Sequence, residues 1–194
     1  MSIIYKKCPK CNSNNVVSIV YGEPSYELYL NSEKEKVFLG GCCISMVDGI
    51  PKYEYHCKDC EYEYNRNDVI DNIYSNIRSI KGYVGGFFEG HKYFEIDFVT
   101  GKVFYNNSFD EEENKLIKEA RTIELRKLIE RLKKIKILNW KKYYDDKDIL
   151  DGTQWSIAID VNGRIREKHG SNMFPKEWKR YCKIISHFID KDFS

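Results

Sequence analysis

Cys8-Pro9-Lys10-Cys11 and Cys57-Lys58-Asp59-Cys60 are two C-x2-C turns separated by 45 residues, and no other feature of the chain restricts its fold so strongly. A C-x2-C turn lets two thiolates converge on one ion, and two such turns complete the closed tetrahedron that Zn2+ adopts where no open catalytic position is needed. The expected ligands are therefore Cys8, Cys11, Cys57 and Cys60, around one structural Zn2+ that holds the N-terminal third together. Seven cysteines are an odd count for a disulfide framework. The start Met1-Ser2-Ile3-Ile4-Tyr5-Lys6-Lys7 lacks the apolar stretch and small-residue cleavage site of a secretory signal. Together these point to a reducing cytoplasm.

With four ligands inside the first 60 of 194 residues, the expected organisation is a small metal-stapled module followed by an ordinary domain. The boundaries read as a zinc ribbon over 1–66, a connecting helix over 67–81 and an α+β domain over 82–194. No apolar run approaches the roughly 18 to 20 residues that span a bilayer, so no membrane segment is expected. The formal charge is +2; four zinc-bound thiolates against one Zn2+ contribute about −2, which leaves the loaded chain near neutral. A global basic field is excluded. The abundance of Lys, Ile, Asn, Tyr and Phe beside only two alanines has the look of A/T-rich codons, so fifteen tyrosines are weak evidence for base stacking.

Between the hooks, Val16 to Tyr21 reads as a strand, Gly22-Glu23-Pro24-Ser25 as a turn, Tyr26 to Glu35 as a short helix and Val37-Phe38-Leu39 as a second strand. The order CPxC (Cys8 to Cys11), YGxPS (Tyr21 to Ser25), LGGC (Leu39 to Cys42) and CxxC (Cys57 to Cys60) resembles the N-terminal zinc-ribbon module of uncharacterised bacterial proteins. The resemblance covers about a third of the chain and implies a fold and a metal, not an activity. Cys42 and Cys43 are left over; Cys42 is expected to be a small buried residue in a tight Gly-Gly turn. His56 precedes a ligand directly and is expected to point away from the metal.

The remainder reads as a hairpin followed by a helix, twice. Val69, Ile70, Ile73, Ile77 and Ile80 follow one helical face, with Asn67 and Asp68 as cap candidates, and give the connecting helix. Phe94, Ile96 and Phe98 alternate with Tyr93, Glu95 and Asp97, and Gly101-Lys102 turns into Val103-Phe104-Tyr105. The first helix is expected to start at the S-x-x-E box Ser108-Phe109-Asp110-Glu111 and to present Leu125, Leu128, Ile129, Leu132 and Ile135 inward. Trp155, Ile157, Ile159 and Val161 form an inward row. Asn162-Gly163 is a two-residue turn, and Arg164, Arg166 and Lys168 share one side of the return strand. Pro175 opens the last helix. The fold class is thus α+β: a zinc ribbon, then antiparallel hairpins packed against two helices.

Function is less constrained. The expected role is a non-catalytic zinc protein that acts as a protein-interaction or adaptor module, since Tyr, Trp and Arg anchor such surfaces. A nucleic-acid partner is the first alternative: residues 121–142 carry nine Lys or Arg against Glu124 and Glu130, and Trp140-Lys141-Lys142-Tyr143-Tyr144 interleaves aromatics with cations. The same charges are explained by a helix dipole, because acids collect at the start of that helix and bases toward its end. A second alternative is a small-molecule, anion or hydrolase site at 151–155 and 169–175, assisted by Arg164, Arg166, Lys168 or Lys179; Gly, Ser, Asn and Pro there equally serve a strand-to-helix turn. His169 beside Ser171, or Asp151 with Glu167, has only sequence proximity in its favour as a catalytic pair. The chain has no P-loop, GxSxG, HExxH or GxGxxG motif.

Overall fold

The computed structural model describes residues 3–47, 49–86, 90–108, 115–145 and 152–194. The chain divides into two compact units, residues 3–73 and 74–194, and is α+β. No helix among the described residues is long and apolar enough to cross a membrane.

In the first unit, strand β1 (Val16–Val20), helix α1 (Tyr26–Glu33) and strand β2 (Val37–Leu39) form a β-α-β crossover, with β2 parallel to β1. A short ribbon follows, β3 (Met46–Val47) with β4 (Ile50–Pro51). The chain then returns through β5 (Tyr55–Cys57) and β6 (Glu63–Tyr64), giving the sheet order β2-β1-β5-β6. The motifs between the hooks pack on each other: Gly22 N–H donates to Gly41 O (2.9 Å) and Gly40 N–H to Val20 O (2.8 Å). Gly40 has to be glycine, because a Cβ there would stand 2.5 Å from the Tyr21 ring. Ser25 caps α1 by accepting from Leu28 N–H at 3.3 Å. The core of the unit is Ile3, Cys8, Cys57, Tyr64 and Val69, with Tyr5, Val16, Tyr55, Cys60, Ile70 and Ile73 against it.

Helix α2 (Arg66–Ser75) is shorter than the expected connecting helix, and the boundary between the units falls within it. Its cap is Asn65 and not Asn67 or Asp68: the Asn65 side chain accepts from Asn67 and Asp68 N–H, and the Asp68 carboxylate accepts from Asn65 N–H in return. Residues 77–81 belong to strand β7 (Ile77–Gly86). The helical reading failed there because a register shift places Ile77 opposite Val161 and Ser79 opposite Asp160. The extra residue turns Ile77 and Ile80 both inward three positions apart, a spacing that imitates a helix.

Among the described residues, the second unit is built on a seven-stranded sheet. After β7 come β8 (Gly90–Asp97), β9 (Lys102–Ser108), β10 (Lys115–Glu119), β11 (Tyr143–Asp145), β12 (Gln154–Val161) and β13 (Arg164–Ser171), in the order β10-β9-β8-β7-β12-β13-β11. Every neighbouring pair is antiparallel except β11 with β13. The inward rows Phe94/Ile96 and Trp155/Ile157/Ile159 are buried, and Asn162 and Gly163 both take positive φ (52° and 82°), as a two-residue hairpin turn of this type requires. Helices α3 (Thr122–Lys134) and α4 (Trp178–Ile189) bury Leu125, Leu128 and Leu132, and Trp178, Tyr181, Ile184 and Ile185. Trp178 packs on Trp155 at 4.6 Å between ring centroids.

The helix expected from Ser108 begins fourteen residues later. Residue 108 is strand, the rest of the proposed box lies outside the described residues, and β10 pairs back onto β9 before α3 starts. At the true start the Glu124 carboxylate accepts from Arg121 N–H (2.9 Å). That bond, with Lys118 and the Arg121 side chain, holds Glu124 down at about 2. Pro175 also precedes its helix by more than expected: it closes a turn by accepting from Trp178 N–H at 2.9 Å.

On β13, Arg164, Arg166 and Lys168 do share one side, and along it burial deepens from the exposed Arg164 through the half-buried Arg166 to the buried Lys168. They stand opposite Val161, Ile159 and Ile157 of β12, while Ile165 is 67% exposed. Lys168 is 3% exposed and donates to Trp140 O (2.5 Å) and Leu138 O (3.4 Å), carbonyls around the 3-10 turn Ile137–Asn139 that follows α3. Burial, and then the neighbouring Arg166, pushes its ammonium down to about 8. Below that pH the folded and unfolded chains both hold the proton, and the cost of burying the charge is present in full. Between there and the unfolded value near ~10.4 the unfolded chain binds more protons, so folding gains stability as pH rises. Lys168→Met removes this slope. From about pH 7 to about pH 9, thermal melts should show wild type gaining on the variant, by on the order of 1 kcal/mol; a constant gap would contradict the buried titration.

Candidate metal centre

The two C-x2-C turns are structural copies. In the first, Cys8 N–H donates to Ser13 O (2.9 Å) and Asn12 N–H to Cys8 O (2.9 Å). In the second, Cys57 N–H donates to Tyr62 O (3.0 Å) and Glu61 N–H to Cys57 O (2.8 Å). The residue after each second cysteine is left-handed, Asn12 at φ 62° and Glu61 at φ 57°. Asparagine accepts this conformation easily; glutamate does so at a cost, which places a strained residue at the lip of the second turn.

The turns bring the four sulfurs within 4.8 Å of one another, with Cys8 and Cys57 buried, Cys60 half-buried and Cys11 exposed. Cys8 Sγ lies 3.7 Å from Cys60 Sγ, and Cys11 Sγ 3.5 Å from Cys57 Sγ. These separations are far too long for disulfide bonds. They are close to the edge of about 3.8 Å that follows for a tetrahedron with Zn–S bonds of about 2.3 Å. Burial pushes the Cys57 thiol up, but the amides of Asp59 and Cys60 with the thiols of Cys11 and Cys60 bring it down to about 7. Burial, reinforced by the sulfurs of Cys11, Cys57 and Cys8, pushes Cys60 up to about 12. Without a cation one sulfur ionises readily and its neighbours then resist; a divalent ion is what lets all four lose their protons.

Three polar residues that sequence reasoning passed over lace the two turns together. The Asp59 carboxylate accepts from the Ser13 hydroxyl and from Asn15 Nδ2 (2.7 Å), Ser13 Oγ accepts from Asn15 N–H (2.9 Å), and Lys58 N–H donates to Asn15 O (3.0 Å). Ser13 and Asn15 lie in the polar run just beyond their hook, but nothing in their spacing announces that they meet a carboxylate 46 and 44 residues away.

Cys42 and Cys43 lie outside the cluster. Both are exposed, so the expectation of a buried Cys42 fails: Gly40 and not Cys42 occupies the tight position against Tyr21. His56 stacks flat on Phe38 (4.0 Å, 5°) and faces Glu63 at 3.7 Å. In the second unit, Arg126, Lys127, Arg131 and Lys134 are exposed on α3, and Lys133 pairs with Glu130. Trp140 is buried, with its indole N–H on Ile135 O (3.2 Å), which breaks the expected interleaving of aromatics and lysines.

The 152–155 and 169–175 segments do lie side by side. Asn172 N–H donates to Thr153 O (3.0 Å), Gln154 Nε2 to Ser171 Oγ (2.7 Å) and Trp155 Nε1 to Met173 O (2.9 Å), so a backbone bond, a side-chain pair and the indole of Trp155 tie the two segments together. His169 faces Glu167 (3.7 Å) and stacks near Tyr143, while Asp151 lies outside the described residues. Of the cations expected to assist there, Lys168 is spent on carbonyls.

Compared with known proteins, the chain matches no protein-family model and no curated sequence. Asp59→Ala should weaken metal binding about tenfold, as loss of supporting hydrogen bonds does at other metal centres. Competition with a chromophoric chelator measures it, and unchanged affinity would show that the lacing does not orient the turns.

Proposed function

We propose that residues 3–73 are a structural zinc module, with Cys8, Cys11, Cys57 and Cys60 as the four ligands, and that the protein works as a non-catalytic adaptor. Support for zinc comes from the convergence of four sulfurs at spacings that suit a closed S4 tetrahedron, with no position left open for a substrate. Structural zinc contributes apparent binding energies on the order of 10 to 16 kcal/mol near pH 7, more than so small a core supplies alone. Native mass spectrometry should find one zinc per chain in wild type and in Cys42→Ser, and none in Cys57→Ser. Equal loss from both substitutions would place Cys42 among the ligands and sink the assignment.

The adaptor reading is supported by helix α1. It is eight residues long, none of them buried, and it displays Tyr26 (78% exposed) and Tyr29 (48% exposed). A two-turn helix with no fully buried residue is marginal on its own account, whereas exposed tyrosines are effective anchors for a protein partner. Ile44, Met46 and Val47 add exposed apolar surface in the same unit. The nucleic-acid reading keeps its support from the exposed cations of α3. The two separate cleanly. A Tyr26→Asp/Tyr29→Asp variant should keep its zinc and lose the protein that co-purifies with wild type from its own cells. An electrophoretic shift that steepens at low salt and vanishes when Arg126, Lys127 and Arg131 are reversed to Glu would replace the adaptor with a nucleic-acid binder.

A further inference from the structure

We propose that the second unit carries a binding site for a small organic acid with a flat apolar body, seated between one end of strands β7, β8 and β12 and the first turns of α4. A cavity of about 770 Å3 opens there, within the range of roughly 300 to 1,000 Å3 that small-molecule sites occupy. Its walls are Val84, Phe174, Pro175 and Trp178, and Gly85 and Gly90 leave part of the floor as bare backbone. Phe174 leans on Trp178 (5.3 Å between centroids, 36°) and lies nearly parallel to Trp155 (6.4 Å, 19°) yet stays 38% exposed. The aromatic wall is therefore fixed from behind and open in front, a surface on which a planar ring stacks.

The charge at the mouth is one-sided. Lys92, Lys176, Lys179 and Lys183 line the cavity against a single acidic side chain, Asp192, which is already engaged by Lys92 and by the Ser194 hydroxyl, while Lys92 also donates to Ser194 O (2.5 Å). Among the described residues Lys176, Lys179 and Lys183 have no carboxylate partner. Lys179 and Lys183 lie four residues apart on α4, so they repel one another on one face of the helix. Lys179 also stands in the first turn of α4, the end of a helix that disfavours cations, and Lys176 lies in the turn just before it. Local rules broken together, with no compensating contact inside the fold, mark a site kept for a ligand. An anionic head between these ammonium groups supplies the missing partner while its body fills the apolar cavity. Cys182 lines the same space, but burial pushes its thiol up to about 12, which fits binding and not nucleophilic attack.

Anilinonaphthalene sulfonate, a flat apolar body with one anionic group, and its uncharged relative phenylnaphthylamine test the proposal on the full-length chain. The sulfonate should bind saturably, one per chain, and shift the amide resonances of Val84, Gly85, Thr153 and Trp178. A Lys179→Glu/Lys183→Glu variant should bind it about tenfold more weakly with no loss of melting temperature, because both side chains are exposed. Phenylnaphthylamine should bind more weakly and be indifferent to the reversal. Sulfonate binding that ignores the two substitutions, that never saturates, or that perturbs amides elsewhere would overturn the proposal. So would equal affinity for the uncharged relative.

Discussion

Four thiols held within 4.8 Å of one another are an electrostatic problem before they are a structural feature. Each amide that points at a sulfur favours its thiolate, and each thiolate formed makes the next harder to form. Two of the five buried residues of the first unit's core are cysteines, Cys8 and Cys57. The pairing of β1 with β5 starts at Val16 opposite Cys57, and the carboxylate that ties the hooks together, Asp59, sits inside the second hook. The small sheet, the core and the polar lacing therefore all depend on one contact between turns that lie 45 residues apart. Closing a loop of that length costs chain entropy, and a small core offsets little of it.

The second unit holds together by different means. A broad antiparallel sheet is covered by α3 and α4, and the rings of Trp140, Trp155, Trp178, Tyr181 and Phe193 form a continuous aromatic cluster beneath them. Lys168 is the exception in this core. It caps the carbonyls of the turn after α3, so a cation replaces the hydrophobe that the register opposite Ile157 calls for. The arrangement ties β13 to the turn that follows α3 through hydrogen bonds as well as through packing.

Much of this was legible because the signals were local. The β-α-β segment between the hooks, the alternation of Trp155, Ile157 and Ile159, and the Asn162-Gly163 turn all follow from residue type at short range. The failures come from tertiary terms. A bulge opposite Val161 gave Ile77 and Ile80 a helical spacing in a strand, and the acids after Ser108 resembled a helix start although Lys115–Glu119 pairs with β9. The three cations of β13 share one side in the sequence; only the folded sheet reveals that Lys168 is buried there while Arg164 stays exposed. At the metal centre the four cysteines announce themselves by spacing, whereas Ser13, Asn15 and Asp59 could be found only by folding the chain.

In the proposed reading, the zinc, the exposed tyrosines of α1 and the cavity beside α4 belong to a protein that recognises partners, with a metal supplementing the small core of its first unit. That account rests on the coordination of one ion. X-ray absorption at the zinc edge of protein purified without added metal tests it most directly: four sulfur neighbours at about 2.3 Å and no lighter ligand are predicted. A first shell containing nitrogen or oxygen, or fewer than four sulfurs, would contradict it, because the site would then be open and its role no longer purely structural.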